Sequence, residues 1–217
     1  MKRSIFVFSI FFITFLFSGC FLKSVHPLVS DDEAVDLPGI SGVWGNDKER
    51  FTFIKEGEFE DVSFKSQDLT VTMTDTGTDS TERGDIGYLV VYEDLNDEKP
   101  DSTYFMGKFI QLNNDYYLDL YPFEIFDINF RSSHLLPVHT FSKIDLQEDS
   151  ISINLFRDSW IEDQIRDNKV RIKHEKLEEG ILITAPTKEL QQFILKYGGE
   201  DEAYRDPITL NRIKDES

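Results

Sequence analysis

A chain of 217 residues with 41 acidic and 23 basic side chains has a formal charge of −18 at pH 7. That balance argues against the phosphate-gripping surfaces of nucleic-acid binders and against docking on anionic lipid through a basic patch. Disorder is excluded too, because 40% of the residues are hydrophobic and 13% aromatic.

The first twenty residues read as an export signal. Lys2 and Arg3 give a positive start, and Ile5 to Phe17 form an apolar run broken only by Ser9 and Thr14. Small residues follow at Ser18 and Gly19, and then Cys20. A positive start, a short apolar middle and a small-residue cut site are the parts of a secretory signal. The run is shorter than the ~20 apolar residues that span a bilayer. Cys20 is the only cysteine, so no intrachain disulfide can form. An odd cysteine in an exported chain calls for a dedicated role.

The ending Phe17-Ser18-Gly19-Cys20 resembles the bacterial lipobox, with Phe17 where Leu is usual. The resemblance implies diacylglyceryl transfer to the Cys20 sulfur, cleavage before Cys20 and acylation of the new amino end. Stable anchoring takes two or more acyl chains, which a triacylated cysteine supplies. Asp directly after the cysteine resembles an inner-membrane retention signal. Phe21 stands there instead, which favours the outer membrane in a Gram-negative cell. The chain is therefore expected to divide into a signal peptide (1–19), a lipidated Cys20 with a linker (20–38), and one domain (39–217). Of the 19 phenylalanines, six precede Cys20 and thirteen follow it, enough for a sizeable core.

Pro27, the acidic run Asp31-Asp32-Glu33 and Pro38 leave no periodic pattern in the linker. Beyond it the period becomes two. Phe51 and Phe53 alternate with Thr52, and Leu69, Val71 and Met73 alternate with threonines. Such alternation predicts half-buried strands. Further strands are predicted at Tyr88–Glu93, Tyr104–Leu112, Tyr116–Tyr121, Val138–Leu146, Ile151–Phe156, Lys169–Lys173, Gly180–Thr184 and Ile208–Ile213. Asn113-Asn114-Asp115 and Gln147 to Ser150 read as hairpin turns, and Asp75 to Asp85 as a polar loop. Many short strands joined by hairpins predict an antiparallel sandwich or barrel.

Two helices are expected. Leu190, Phe193, Ile194 and Tyr197 fall at i, i+3, i+4 and i+7, with Thr187 as cap, Glu189 in the first turn and Gly198 at the end. A shorter helix is signalled by Ser159 and Glu162 at capping-box spacing, with Ile161 and Ile165 four apart.

Gly42-Val43-Trp44 opens this region, a long strand series follows, and a late helix precedes a last strand, Ile208 to Ile213. That order resembles a lipocalin-type barrel, whose first strand bears Gly-x-Trp. The resemblance implies that Trp44 closes one end and that Arg212 lies across its face. Arg212 shares a strand face with Ile208 and Leu210 and should point inward with them. The chain departs from the pattern in lacking a clear Asp-rich turn between middle strands. The segment Pro122 to Pro137 and the helix near Trp160 are additions. The strings His26-Pro27-Leu28, Leu37 to Trp44, Leu118 to Pro122, Pro137 to Thr140 and Thr187 to Leu190 also resemble a group of uncharacterised bacterial lipoproteins. That resemblance implies a lipid-anchored domain and no particular activity.

No catalytic residue, metal site or cofactor is expected. His26, His134, His139 and His174 are scattered, without HxH or HExxH spacing. There is no Gly-x-Ser-x-Gly elbow, phosphate loop or dinucleotide glycine run. His139 and Asp119 could form an acid–base pair if their strands adjoin. Two acidic loops, one with Asp75, Asp79, Glu82 and Asp85 and the other with Asp94, Asp97, Glu98 and Asp101, lack calcium-loop spacing and read as solvated turns. The aromatic hairpin bears Tyr104, Phe105, Phe109, Tyr116, Tyr117 and Tyr121. If the barrel interior leaves a gap, Tyr104, Phe105, Phe109 and Tyr117 are the candidate lining for a lipid or other apolar ligand. If the side chains interlock, the barrel is a solid core, and the protein is a ligand-free structural or interaction component of the envelope.

Overall fold

The computed structural model describes residues 21–57, 63–66, 69–72, 87–96, 102–123, 135–178 and 180–214. The fold is mostly β, with a closed eight-stranded antiparallel barrel. Its strands are β2 (Gly42–Gly45), β3 (Glu49–Lys55), β6 (Tyr88–Asp94), β7 (Ser102–Leu112), β8 (Asp115–Pro122), β9 (His139–Leu146), β10 (Ser150–Leu155) and β13 (Ile208–Ile213). Each pairs with the next in that ring, and β13 pairs back onto β2, so the barrel has no free edge. A separate hairpin joins β4 (Ser63–Ser66) to β5 (Leu69–Thr72), where alternation at Leu69 and Val71 signalled a strand. Met73 and the loop from Asp75 to Asp85 lie outside the described residues, as do His134 and the acidic residues Asp97, Glu98 and Asp101.

The turns follow their chemistry. Asn113 adopts φ 57° between β7 and β8, the left-handed conformation that asparagine tolerates. Between β9 and β10, the Gln147 amide donates to the Ser150 carbonyl at 2.8 Å.

Strand parity sorts the apolar side chains into two cores. The inner core fills the barrel with Trp44, Phe53, Tyr88, Val90, Phe109, Leu118, Ile144, Ile151, Ile153 and Leu210. The outer core lies against the outside of the β7–β9 wall, on Ile110, Tyr117 and Phe141. Two helices cover it, α1 (Asp158–Arg166) through Trp160 and Ile161, and α2 (Thr187–Tyr197) through Leu190, Phe193 and Ile194. Gly198 ends α2 in a right-handed conformation, so its lack of a side chain serves close approach rather than a left-handed turn. A Cβ there would sit 2.3 Å from the Tyr117 hydroxyl.

Both expected caps are corrected. Thr187 is the first helical residue, and its hydroxyl donates to the Pro27 carbonyl at 2.7 Å instead of capping its own helix. Arg157, not a serine, occupies the cap position of α1, and the Ser159 amide donates to Asp158. The strand expected at Lys169–Lys173 lies further on, at β11 (His174–Lys176), paired with β12 (Ile181–Ile183).

The segment expected as a linker is a structural element. Leu22, Leu28, Val29 and Leu37 are buried. Lys23 and Ser24 form β1, which pairs with β9 on one side and β12 on the other. Its apolar residues are scattered among prolines and acids and are buried against distant parts of the chain, so no period marks the segment.

Candidate functional site

One end of the barrel is blocked. Trp44 is fully buried, and its indole N–H donates to the Ile40 carbonyl at 2.7 Å. The Arg212 guanidinium lies 4.0 Å from the Trp44 ring centroid, a cation–π contact. The same guanidinium donates to the carbonyls of Gly39, Ser41 and Glu148. Trp44 and Arg212 thus meet as a closing pair, in register across β2 and β13. Phe53, Tyr88 and Phe109 pack beneath them, with Tyr88 edge-on to Phe109 at 5.2 Å. The Tyr88 hydroxyl donates to Asp36. Lys55, at 2.7 Å, and then Tyr88 hold the Asp36 carboxyl below the usual carboxylate range.

Among the described residues, the other end is open. A cavity of about 290 Å³ occupies it, lined chiefly by Phe51, Tyr92, Phe105, Leu118, Leu120, Phe141, Ile153, Leu155 and Ile208, with Glu49, Thr140 and Ser142 as its polar members. Period-two geometry explains the set. Glu49, Phe51 and Phe53 face inward together on β3, as do Tyr88, Val90 and Tyr92 on β6 and Phe105, Gly107 and Phe109 on β7. Gly107 lets neighbouring side chains pack directly against the β7 backbone. A Cβ there would meet Val90 Cγ2 at 2.8 Å and Leu118 Cδ1 at 3.2 Å. Phe51 and Tyr92, register partners on β3 and β6, pack at 5.0 Å side by side on one wall. Burial raises the Glu49 carboxyl above its ordinary range, and burial also raises the Tyr92 hydroxyl. A volume near 300 Å³ is at the small end of ligand cavities, which run from ~300 to ~1,000 Å³.

Of the four lining candidates, Phe105 lines this cavity. Phe109 faces inward but belongs to the packed, blocked half. Tyr104 and Tyr117 are corrected, because they lie at outward parity. Tyr104 packs with Leu89 outside the barrel, and Tyr117 is in the outer core beside α2. The inward register would have supplied Glu49, Phe51, Tyr92, Leu118 and Leu120 had one strand's facing been known.

The hydroxyls of Tyr117 and Tyr204 both donate to the Gly198 carbonyl, at 3.4 and 2.8 Å. Burial pushes both hydroxyls above their ordinary range, which keeps them neutral donors there.

His139 and Asp119 do meet, on adjoining strands β9 and β8, with Nδ1 2.9 Å from Oδ1. The Tyr121 ring stacks on the imidazole at 4.6 Å. Asp119 is nearly fully buried, and its other oxygen accepts the amides of Leu28 and Val29 at 2.7 and 3.3 Å. Ser24, opposite His139 on β1, donates its hydroxyl to the His26 carbonyl at 2.8 Å. The carboxylate therefore acts as a clasp on the N-terminal segment. Among the described residues, no group of three or more His, Cys, Asp or Glu side chains could hold a metal ion. None of the described helices is long and apolar enough to cross a membrane.

These features define a small closed β-barrel with two flanking helices, blocked at one end and open to an apolar cavity at the other. No family model, curated protein or solved structure matches the chain.

Proposed function

We propose that the chain is a lipid-anchored protein of the bacterial cell envelope whose barrel binds an apolar molecule, with Cys20 as the anchor and the open-end cavity as the binding site. The observation that supports this most is the cavity itself. A barrel whose inward side chains interlocked throughout would leave no volume, and here one half interlocks while the other does not. Its walls are apolar and aromatic, with a few polar groups near the mouth, the usual make-up of a small-molecule site.

The test uses the soluble domain with Cys20→Ser, purified without detergent, weighed intact under native and denaturing conditions. Extra mass that disappears on denaturation is expected, and extraction then identifies the molecule. Thr140→Trp projects an indole into the cavity and is expected to abolish the extra mass while the protein stays folded. A bare native mass that persists when the protein is offered fatty acids and phospholipids would replace this reading with a ligand-free structural or interaction role.

A further inference from the structure

The cavity mouth and the start of the described chain are at the same place. Phe21 follows Cys20 directly, lines the cavity and is 48% exposed. Its backbone bridges to Arg157, just past the end of β10. The next residue, Leu22, is buried, and Lys23 and Ser24 are fixed in β1 between β9 and β12. There is no slack. Consecutive Cα atoms are ~3.8 Å apart, so the chain ahead of Phe21 departs from the mouth.

The lip on that side is apolar and cationic. Leu135 and Leu136, just ahead of β9, are 60% and 65% exposed. The Arg205 guanidinium lies 5.8 Å from the Phe21 ring centroid, with Arg157 beside it in the chain-to-chain bridge. The opposite lip differs. β3 is four strands from β9 in a ring of eight, hence diametrically across it. Asp47 and Lys48 lead into β3, Arg50 lies near its start, and Asp94 ends the neighbouring strand β6, so that lip is charged rather than apolar. Exposed leucines and an aromatic suit the boundary between headgroups and acyl chains, whereas a lip made of charged side chains stays in water.

We propose that the open end of the barrel rests on the bilayer, tilted so that the lip formed by Phe21, Leu135 and Leu136 enters the interface and the cavity opens toward the acyl chains. This rests on the reading of Cys20 as lipidated. The occupant of the face is a lipid surface, because the proposed anchor joins the chain directly ahead of Phe21 and the exposed large side chains at that lip are apolar.

Full-length protein purified from bacterial membranes is reconstituted in vesicles of phosphatidylcholine with phosphatidylglycerol. Once Cys20 is lipidated, an introduced cysteine is the only free thiol, so single spin labels are placed through Leu136→Cys or Glu148→Cys. Glu148 marks the blocked end, where its carbonyl accepts from Arg212. The Leu136 label is expected to show a several-fold fall in collisions with a water-soluble relaxant relative to the Glu148 label, which stays fully accessible. With Cys20 shown by mass to be acylated, protection at Glu148, or full exposure at both sites, would overturn the proposed orientation while leaving the anchor intact. An unmodified Cys20 in that mass measurement would overturn the anchor, and the orientation with it.

Discussion

Replacing Asp119 by alanine removes the acceptor shared by two amides, those of Leu28 and Val29, in a place water does not reach. Leu28 is 0% and Val29 2% exposed, and the carboxylate itself is 4% exposed. A buried donor left without a partner costs about 1–3 kcal/mol, so two cost about 4 kcal/mol together. His139 also loses a partner, but its half-buried ring can turn to water, so it adds little. For a domain of this size, ~2–4 °C in Tm per kcal/mol gives a fall of about 10 °C. Asp119→Asn keeps one carbonyl oxygen and is expected to lose roughly half as much. The assay is urea unfolding of the Cys20→Ser domain, with hydrogen exchange read at the Leu28 and Val29 amides. Lys108→Ala is the internal control. It removes an ion pair to Asp31, whose side chain is 77% exposed, and should change stability by less than ~1 kcal/mol. The clasp argument fails if Asp119→Ala matches that control, or if the two amides exchange no faster than before. The same variant bears on the lip proposed to meet the membrane, because freeing residues 27–29 loosens the segment that fixes Phe21 at the mouth.

Arg212→Ala should destabilise by about 3 kcal/mol in thermal melts, since it removes a cation–π contact and charge-assisted bonds to the carbonyls of Gly39, Ser41 and Glu148. Arg212→Lys should recover less than half of that, because an ammonium cannot both stack on Trp44 and reach three carbonyls. Glu49 has a folded-state carboxyl raised by burial, so the folded protein holds its proton to higher pH than the unfolded chain does. Its effect on stability is therefore neutral below the unfolded value of ~4 and becomes unfavourable as pH rises through the raised one. Glu49→Gln should accordingly stabilise the domain at pH 7 and make no difference below about pH 4, as read from unfolding midpoints across pH. Gly107→Val is expected to cost about 1–3 kcal/mol by overpacking, given the 2.8 Å approach of Val90 Cγ2 to a Cβ at that position, and chemical denaturation measures it.

The β-barrel was legible because alternation survives wherever one strand face meets a core and the other does not. Phe51 and Phe53 announce β3, and Ile208 with Leu210 announce β13. The Trp44–Arg212 closure was legible through a resemblance carried by two positions at opposite ends of the chain. What alternation cannot state is which face is inside when both are apolar. The β7–β8 hairpin has aromatic residues on both faces, because its outer face is itself buried beneath the helices. Alternation alone therefore does not place Tyr117, and Tyr104 has the same lack of contrast because Leu89 covers it outside the barrel. The N-terminal segment escaped notice for a different one. Its burial depends on partners more than 90 residues away, the Asp119 carboxylate and the helix α2, whose Gln191 donates to the Leu28 carbonyl at 3.1 Å. A segment held by distant side chains needs no period of its own. Its prolines and acids resemble a spacer, yet it is fastened along its length to the barrel wall. The consequence is mechanical as much as structural. On the proposed anchoring at Cys20, a flexible spacer would let the domain sample every orientation over a membrane, whereas a fastened segment would make the anchor and the cavity mouth one rigid unit.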